Sequence, residues 1–144
     1  MMPGRAQIER LVPHAGAMCL LDAVTAWDAS HIACSSAAPV AQHPLAREGR
    51  VPAIAACEYA AQAVAVHGAL LDGVQGARDG MLAKLSDVEL RMSFFPSDAE
   101  NVTVRAELLG RLATGCLYAF DVASTGQAIA SGRLIVAFTT PEVP

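Results

Sequence analysis

The chain has 144 residues, of which 53% are apolar, a formal net charge of −4 and no basic cluster. Its length fits one domain spanning 1–144, able to bury about two-thirds of its extended surface. The acidic balance argues against nucleic acid and anionic membrane as principal partners.

Residues 5–12 read as a short helical lead-in broken by Pro13. Met18 to Asp28 is a strand candidate, with β-branched Val24 and Thr25 and aromatic Trp27. Asp28-Ala29-Ser30 is a turn, and His31 to Ala37 is a partner strand. Pro39 to Pro52 is a loop carrying the charged stretch Arg47-Glu48-Gly49-Arg50. Pro52 suits a helix start, because its missing N–H has no intrahelical partner there. The helix runs from Ala53 to Leu71 and ends near Asp72-Gly73, with a Gly-containing linker to Gly80. Strands follow at Met81 to Phe95, Asn101 to Leu109, Cys116 to Ala123 and Ala128 to Thr139. Pro96-Ser97-Asp98, Gly110 to Gly115 and the tight Ser124-Thr125-Gly126-Gln127 are the turns between them. Asn101 to Leu109 alternates best, Val102, Val104, Ala106 and Leu108 against Thr103, Arg105 and Glu107. Two strands, one long apolar helix, then four strands with hairpin-length links predict an α+β fold. The sheet is mostly antiparallel and wraps the helix.

The helix carries the sharpest chemical signal. Between Ala53 and His67 nearly every residue is small and apolar, and Glu58 sits in the second turn. A helix apolar all round is a buried helix, and an ionised carboxylate there costs several kcal/mol unless paired or neutralised. Burial favours the protonated form, which suits a carboxyl to hold a proton and give it away. The competing reading is a carboxylate that meets water where the helix emerges from the sheet. The same helix has membrane-like length, but Glu58, Gln62 and His67 inside it argue against a membrane span. Ala17-Met18-Cys19-Leu20-Leu21 is too short for a signal segment. Cys19, Cys34, Cys57 and Cys116 form no C-x-x-C and read as reduced core residues of a cytoplasmic protein, not as a disulfide framework or a metal site.

Three stretches resemble one family. Leu11-Val12-Pro13-His14 leading to Met18-Cys19-Leu20-Leu21-Asp22-Ala23-Val24 is similar to the opening of the 3-hydroxyacyl-[acyl carrier protein] dehydratases. Pro52 to Glu58-Tyr59-Ala60-Ala61-Gln62-Ala63 resembles their Pro-Gly-Val…Glu-Ala-Met-Ala-Gln, with the same Pro-to-Glu spacing of 6. Phe94-Phe95-Pro96-Ser97-Asp98 resembles their Val-Pro-Gly-Asp turn. Within that group Arg50-Val51-Pro52-Ala53 leading to Glu58-Tyr59 looks most like the dehydratase-like proteins of bacterial aryl-polyene clusters, thought to work with a second dehydratase. The resemblance implies a hot-dog fold, no cofactor, and a substrate borne on the phosphopantetheine of acyl carrier protein.

Dehydrating a β-hydroxyacyl thioester needs a base for the C2 proton, an acid for the departing C3 hydroxyl and donors for the thioester oxygen. By resemblance Glu58 is the acid, and the base is a histidine in the loop before the helix, where His43 stands. Backbone N–H groups at Ala53 and Ile54 would polarise the thioester, and Gln62, one turn after Glu58, would hydrogen-bond it. The family builds this site at a dimer interface, its histidine and glutamate coming from different subunits. The chain departs from the pattern in two places. His43 to Glu58 spans 15 positions, one more than in the family, so His43-Pro44 also aligns with the family's second, non-catalytic His-Pro. His14 is then an alternative base, or a residue capping the first strand. Ala53 also replaces the family's glycine.

Other residues carry blander readings. His67 lies nine positions beyond Glu58, on the opposite helix face, and His31 has no supporting context. Tyr59 and Trp27 read as core. Arg47, Arg50, Lys84 and Arg91 read as solvated charges or as contacts to the carrier protein and its phosphate. Three functions stay open: a dehydratase of carrier-bound 3-hydroxyacyl chains, a weakly or non-catalytic hot-dog subunit partnering another dehydratase, in a homodimer or heterodimer, and a thioesterase on the same fold.

Overall fold

A computed structural model describes residues 2–11, 19–37, 43–71 and 80–138, with the backbone alone at 11, 80–83 and 138. Helix α1 (Arg5–Leu11) precedes strands β1 (Ala23–Trp27) and β2 (His31–Ala37). A single 3-10 turn (Ala53–Ala55) leads into α2 (Ala56–Leu71). Strands β3 (Gly80–Leu90), β4 (Asn101–Leu112), β5 (Gly115–Ser124) and β6 (Gln127–Phe138) follow. All six strands join one sheet in the order β1-β2-β4-β5-β6-β3, every pair antiparallel.

The period-two pattern decides which face of the sheet meets α2. Ile32 and Cys34 on β2, Val102 and Val104 on β4, Tyr118, Phe120 and Val122 on β5, and Leu134 on β6 are all buried against it. Ala60, Ala63, Val64 and Val66 are the helix's own share of this core. Its small residues allow a close approach to the curved sheet, so the long apolar helix is a core helix. All four cysteines are buried and unpaired with one another. The expected elements appear with shifted ends. β1 starts at Ala23; Met18, where the strand candidate began, lies outside the described residues, and the Leu20 backbone is bonded by side chains (below) instead of a strand partner. β3 stops at Leu90 rather than Phe95. The Ser93 carbonyl accepts the Ala53 amide and the Phe95 amide donates to Val51, tying this bend to the start of the helix. β4 runs on to Leu112, leaving Ala113 and Thr114 as the turn. At Thr125-Gly126 both residues have positive φ, 49° and 80°, the mirror-image turn that matches strand twist.

Candidate active site

The site is built where the first turns of α2 meet the segment before β1 and the loop before the helix. Buried Gln62 accepts the Leu20 backbone N–H on Oε1 at 2.8 Å and donates from Nε2 to Glu58 Oε1 at 3.2 Å. The direction of this amide is not arbitrary. A backbone N–H needs an acceptor, so the carboxamide oxygen faces Leu20 and the NH₂ faces the carboxyl. Spacing of four places Glu58 and Gln62 on one face, one turn apart. Glu58 is half-buried, on the least covered stripe of the helix below exposed Ile54. The expectation of a helix sealed all round therefore fails along this stripe, where Ile54, Glu58, Ala61, Ala65 and Gly68 recur at alternating spacings of four and three.

His43 comes to the neighbouring face. Its Nδ1 accepts the Leu45 backbone N–H at 3.0 Å, so the proton of the neutral ring is on Nε2, which lies 3.0 Å from the Tyr59 hydroxyl and donates to it. The two rings stack, centroids 5.9 Å apart at 26°. Burial pushes the His43 pKa down, keeping the imidazole neutral. Tyr59 is 1% exposed, also packs against Phe95, and is pushed by burial up to about 12. Ser36 acts against that rise, and its hydroxyl donates to the Leu20 carbonyl at 2.6 Å. The Leu20 peptide thus reaches Glu58 by its N–H, through Gln62, while its C=O accepts from Ser36.

The sequence-based site residues fare differently. Glu58, Gln62 and His43 gather here, while His14 lies outside the described residues. The Ala53 amide, expected as a donor to substrate, is spent on the Ser93 carbonyl at 2.9 Å because the chain after β3 folds back on the helix start. The Ala55 amide is held by the Pro52 carbonyl. Ile54, between them, is 53% exposed. Sequence reasoning assigned Tyr59 to the core alone and missed Ser36 and the Leu20 peptide. Only the position of Tyr59 beside Glu58 hinted at a role. His67 sits far from the site, fully buried, with Nδ1 2.6 Å from the Tyr118 hydroxyl and Nε2 2.8 Å from the Asp28 carbonyl. Next to the start of the helix, Arg47 and Arg50 close a tight turn, and the Arg50 guanidinium lies 3.8 Å from the Phe94 ring centroid.

One antiparallel sheet curled round one long helix defines a hot-dog protein. The chain belongs to the ApeP-like dehydratase family, whose profile (ApeP dehydratase) matches residues 6–142. It is similar to a chain of the dehydratase heterocomplex ApeI:P from Xenorhabdus doucetiae, with 21% identity, TM-score 0.79, and 92% of this chain and 91% of that one covered. It also resembles an HP0420 homologue from Helicobacter felis, at 8% identity, TM-score 0.67 and coverage of 96% and 92%. A third neighbour is a hypothetical thioesterase with coenzyme A from Streptococcus pneumoniae TIGR4, at 13% identity, TM-score 0.59 and coverage of 83% and 87%. No curated protein sequence matches the chain.

Proposed function

We propose that this protein dehydrates 3-hydroxyacyl thioesters carried on acyl carrier protein in the cytoplasm, in fatty acid or aryl polyene synthesis, giving the 2-enoyl thioester. The observation that carries the reading is the directed chain from Leu20 N–H through Gln62 to Glu58. It holds one carboxyl oxygen as an acceptor and orients the group as an acid. In the forward reaction His43 Nδ1 takes the C2 proton, electrons move into the thioester and form the C2–C3 double bond, and Glu58 protonates the leaving C3 hydroxyl, releasing water. To act, Nδ1 must exchange the Leu45 amide for the substrate. The Ile54 amide is the donor we assign to the thioester oxygen. Arg47 and Arg50 beside the helix start supply cationic groups for an acidic carrier protein.

The test is hydration of crotonyl and longer enoyl thioesters, read as loss of enoyl absorbance, with Glu58→Gln alongside. We expect Glu58→Gln to fold and to lose at least about a hundredfold in rate. Full activity in that variant would remove the acid role.

A second reading is favoured by one observation: both His43 nitrogens are engaged within the chain. On this reading the chain is the weakly or non-catalytic subunit of a hot-dog heterodimer, and a histidine of the other subunit takes the C2 proton. The likeness to a dehydratase heterocomplex supports it. Activity that appears only with an added dehydratase subunit, and that survives His43→Ala, selects this reading. A thioesterase, the activity in the printed name of one fold neighbour, would release free thiol in the same assay.

A further inference from the structure

We propose that Tyr59 is a positioning residue for His43: its buried hydroxyl accepts the Nε2 proton and holds the ring, with its lone pair on Nδ1, at one angle beside the helix that carries Glu58. The inference rests on the reading of His43 as proton acceptor and deepens it. A histidine works as a base through one nitrogen only when the other is in its N–H form, and a group that accepts from that N–H fixes the ring angle. Tyr59 meets the requirement in three ways. Its oxygen is 3.0 Å from Nε2. It lies flat against the imidazole at 26°, so the ring cannot swing without losing the stack. The Leu45 amide on Nδ1 leaves the ring proton on Nε2, so at this contact the tyrosine oxygen is the acceptor.

Among the described residues, the groups besides His43 that act on Tyr59 are the neutral Ser36 of β2 and, from the segment before β1, the carboxylate of Asp22. Asp22 is already engaged by Arg5 at 2.9 Å and by the Ala37 amide at 2.7 Å. Loss of the Tyr59 hydroxyl therefore acts on His43 directly: an acceptor that favours the protonated ring disappears, and the His43 pKa falls further. A base must be unprotonated to act, so the acidic limb of the kcat/KM profile moves to lower pH.

The experiment compares wild type, Tyr59→Phe, His43→Ala and the double variant by enoyl-thioester hydration, and records His43 ¹⁵N shifts through a pH titration. Tyr59→Phe removes one oxygen and keeps the ring. The expected result is a roughly tenfold fall in kcat with KM little changed, an acidic limb at lower pH, and no further loss when the change is added to His43→Ala. In the spectra the Nε2–H form predominates in wild type, and in Tyr59→Phe the Nε2 resonance shifts with the loss of its hydrogen bond and the titration midpoint falls. Additive losses, or an unchanged His43 Nε2 shift and midpoint, overturn the proposal. The spectra decide it even for a chain inactive on its own. Unaltered activity in His43→Ala with the expected spectra would instead overturn His43 as the base while keeping Tyr59 as the group that holds it.

Discussion

Among the described residues, two tyrosine–histidine pairs each place one member on the central helix, Tyr59 near its start and His67 nearer its end, and they are wired in opposite senses. At the far end the His67 Nε2–H donates to the Asp28 carbonyl, so Nδ1 accepts the proton of Tyr118. At the near end the Leu45 N–H occupies His43 Nδ1, so Nε2 donates and Tyr59 accepts. The backbone group decides each case: a carbonyl forces the ring nitrogen it meets to be a donor, and an amide forces it to be an acceptor. The settings differ as well. His67 meets Tyr118 edge-on at 85° inside the core, whereas His43 is half-buried on a loop and stacks. One pair closes a core, and the other joins that core to a partly exposed loop.

The contrast breaks under substitution. His67→Ala should cost the most stability, about 3 kcal/mol, because a cavity opens and the Asp28 carbonyl loses a buried partner. Activity per folded molecule should hold, and a urea melt beside the hydration assay separates the two effects. His43→Ala should show the reverse: at least about a hundredfold loss of rate with less than about 1 kcal/mol of stability. Equal melting costs for the two histidines would erase the distinction. Tyr118→Phe should cost about 1 kcal/mol, since the buried His67 Nδ1 loses a donor, and leave the pH–rate profile in place. Tyr59→Phe should move that profile.

The smallest expected effect is on pH-dependent stability. Burial lowers the pKa of His67, against a weaker opposing effect of the Asp28 carbonyl, and burial lowers that of His43. Below the unfolded value of about 6.5 the unfolded chain then binds protons that these two sites resist, and stability falls as pH drops. His31 works the other way. Its hydrogen bond to Glu107, 2.8 Å long, raises its pKa, so its contribution is present below about pH 6.5 and fades as pH rises through the raised value. His31→Gln should therefore steepen the acid-side loss, and His67→Gln should flatten it, in denaturant midpoints measured from pH 7.5 to 5.5. Parallel curves for all three proteins would refute the assignment.

Local pattern determined much of this protein. Alternation in Asn101 to Leu109, the apolar run after Pro52 and the Thr125-Gly126 turn specified strand, helix and hairpin from residues adjacent in sequence. Helical phase placed Gln62 beside Glu58 and sent His67 to the other side, because four residues return to one face and nine do not. The resemblance in Glu58-Tyr59 to Gln62 pointed to the family. Tertiary closure decided the rest. Leu20 and Gln62 are 42 residues apart, and His43 and Tyr59 are 16 apart. No periodicity links them, since each contact exists only once the sheet has curled round α2. The same closure spent the Ala53 amide on Ser93, left Glu58 half-buried, and chose which nitrogen of each histidine bears the proton. A hydrogen bond depends on position and direction in space, and sequence spacing carries that information only within a single helix or strand.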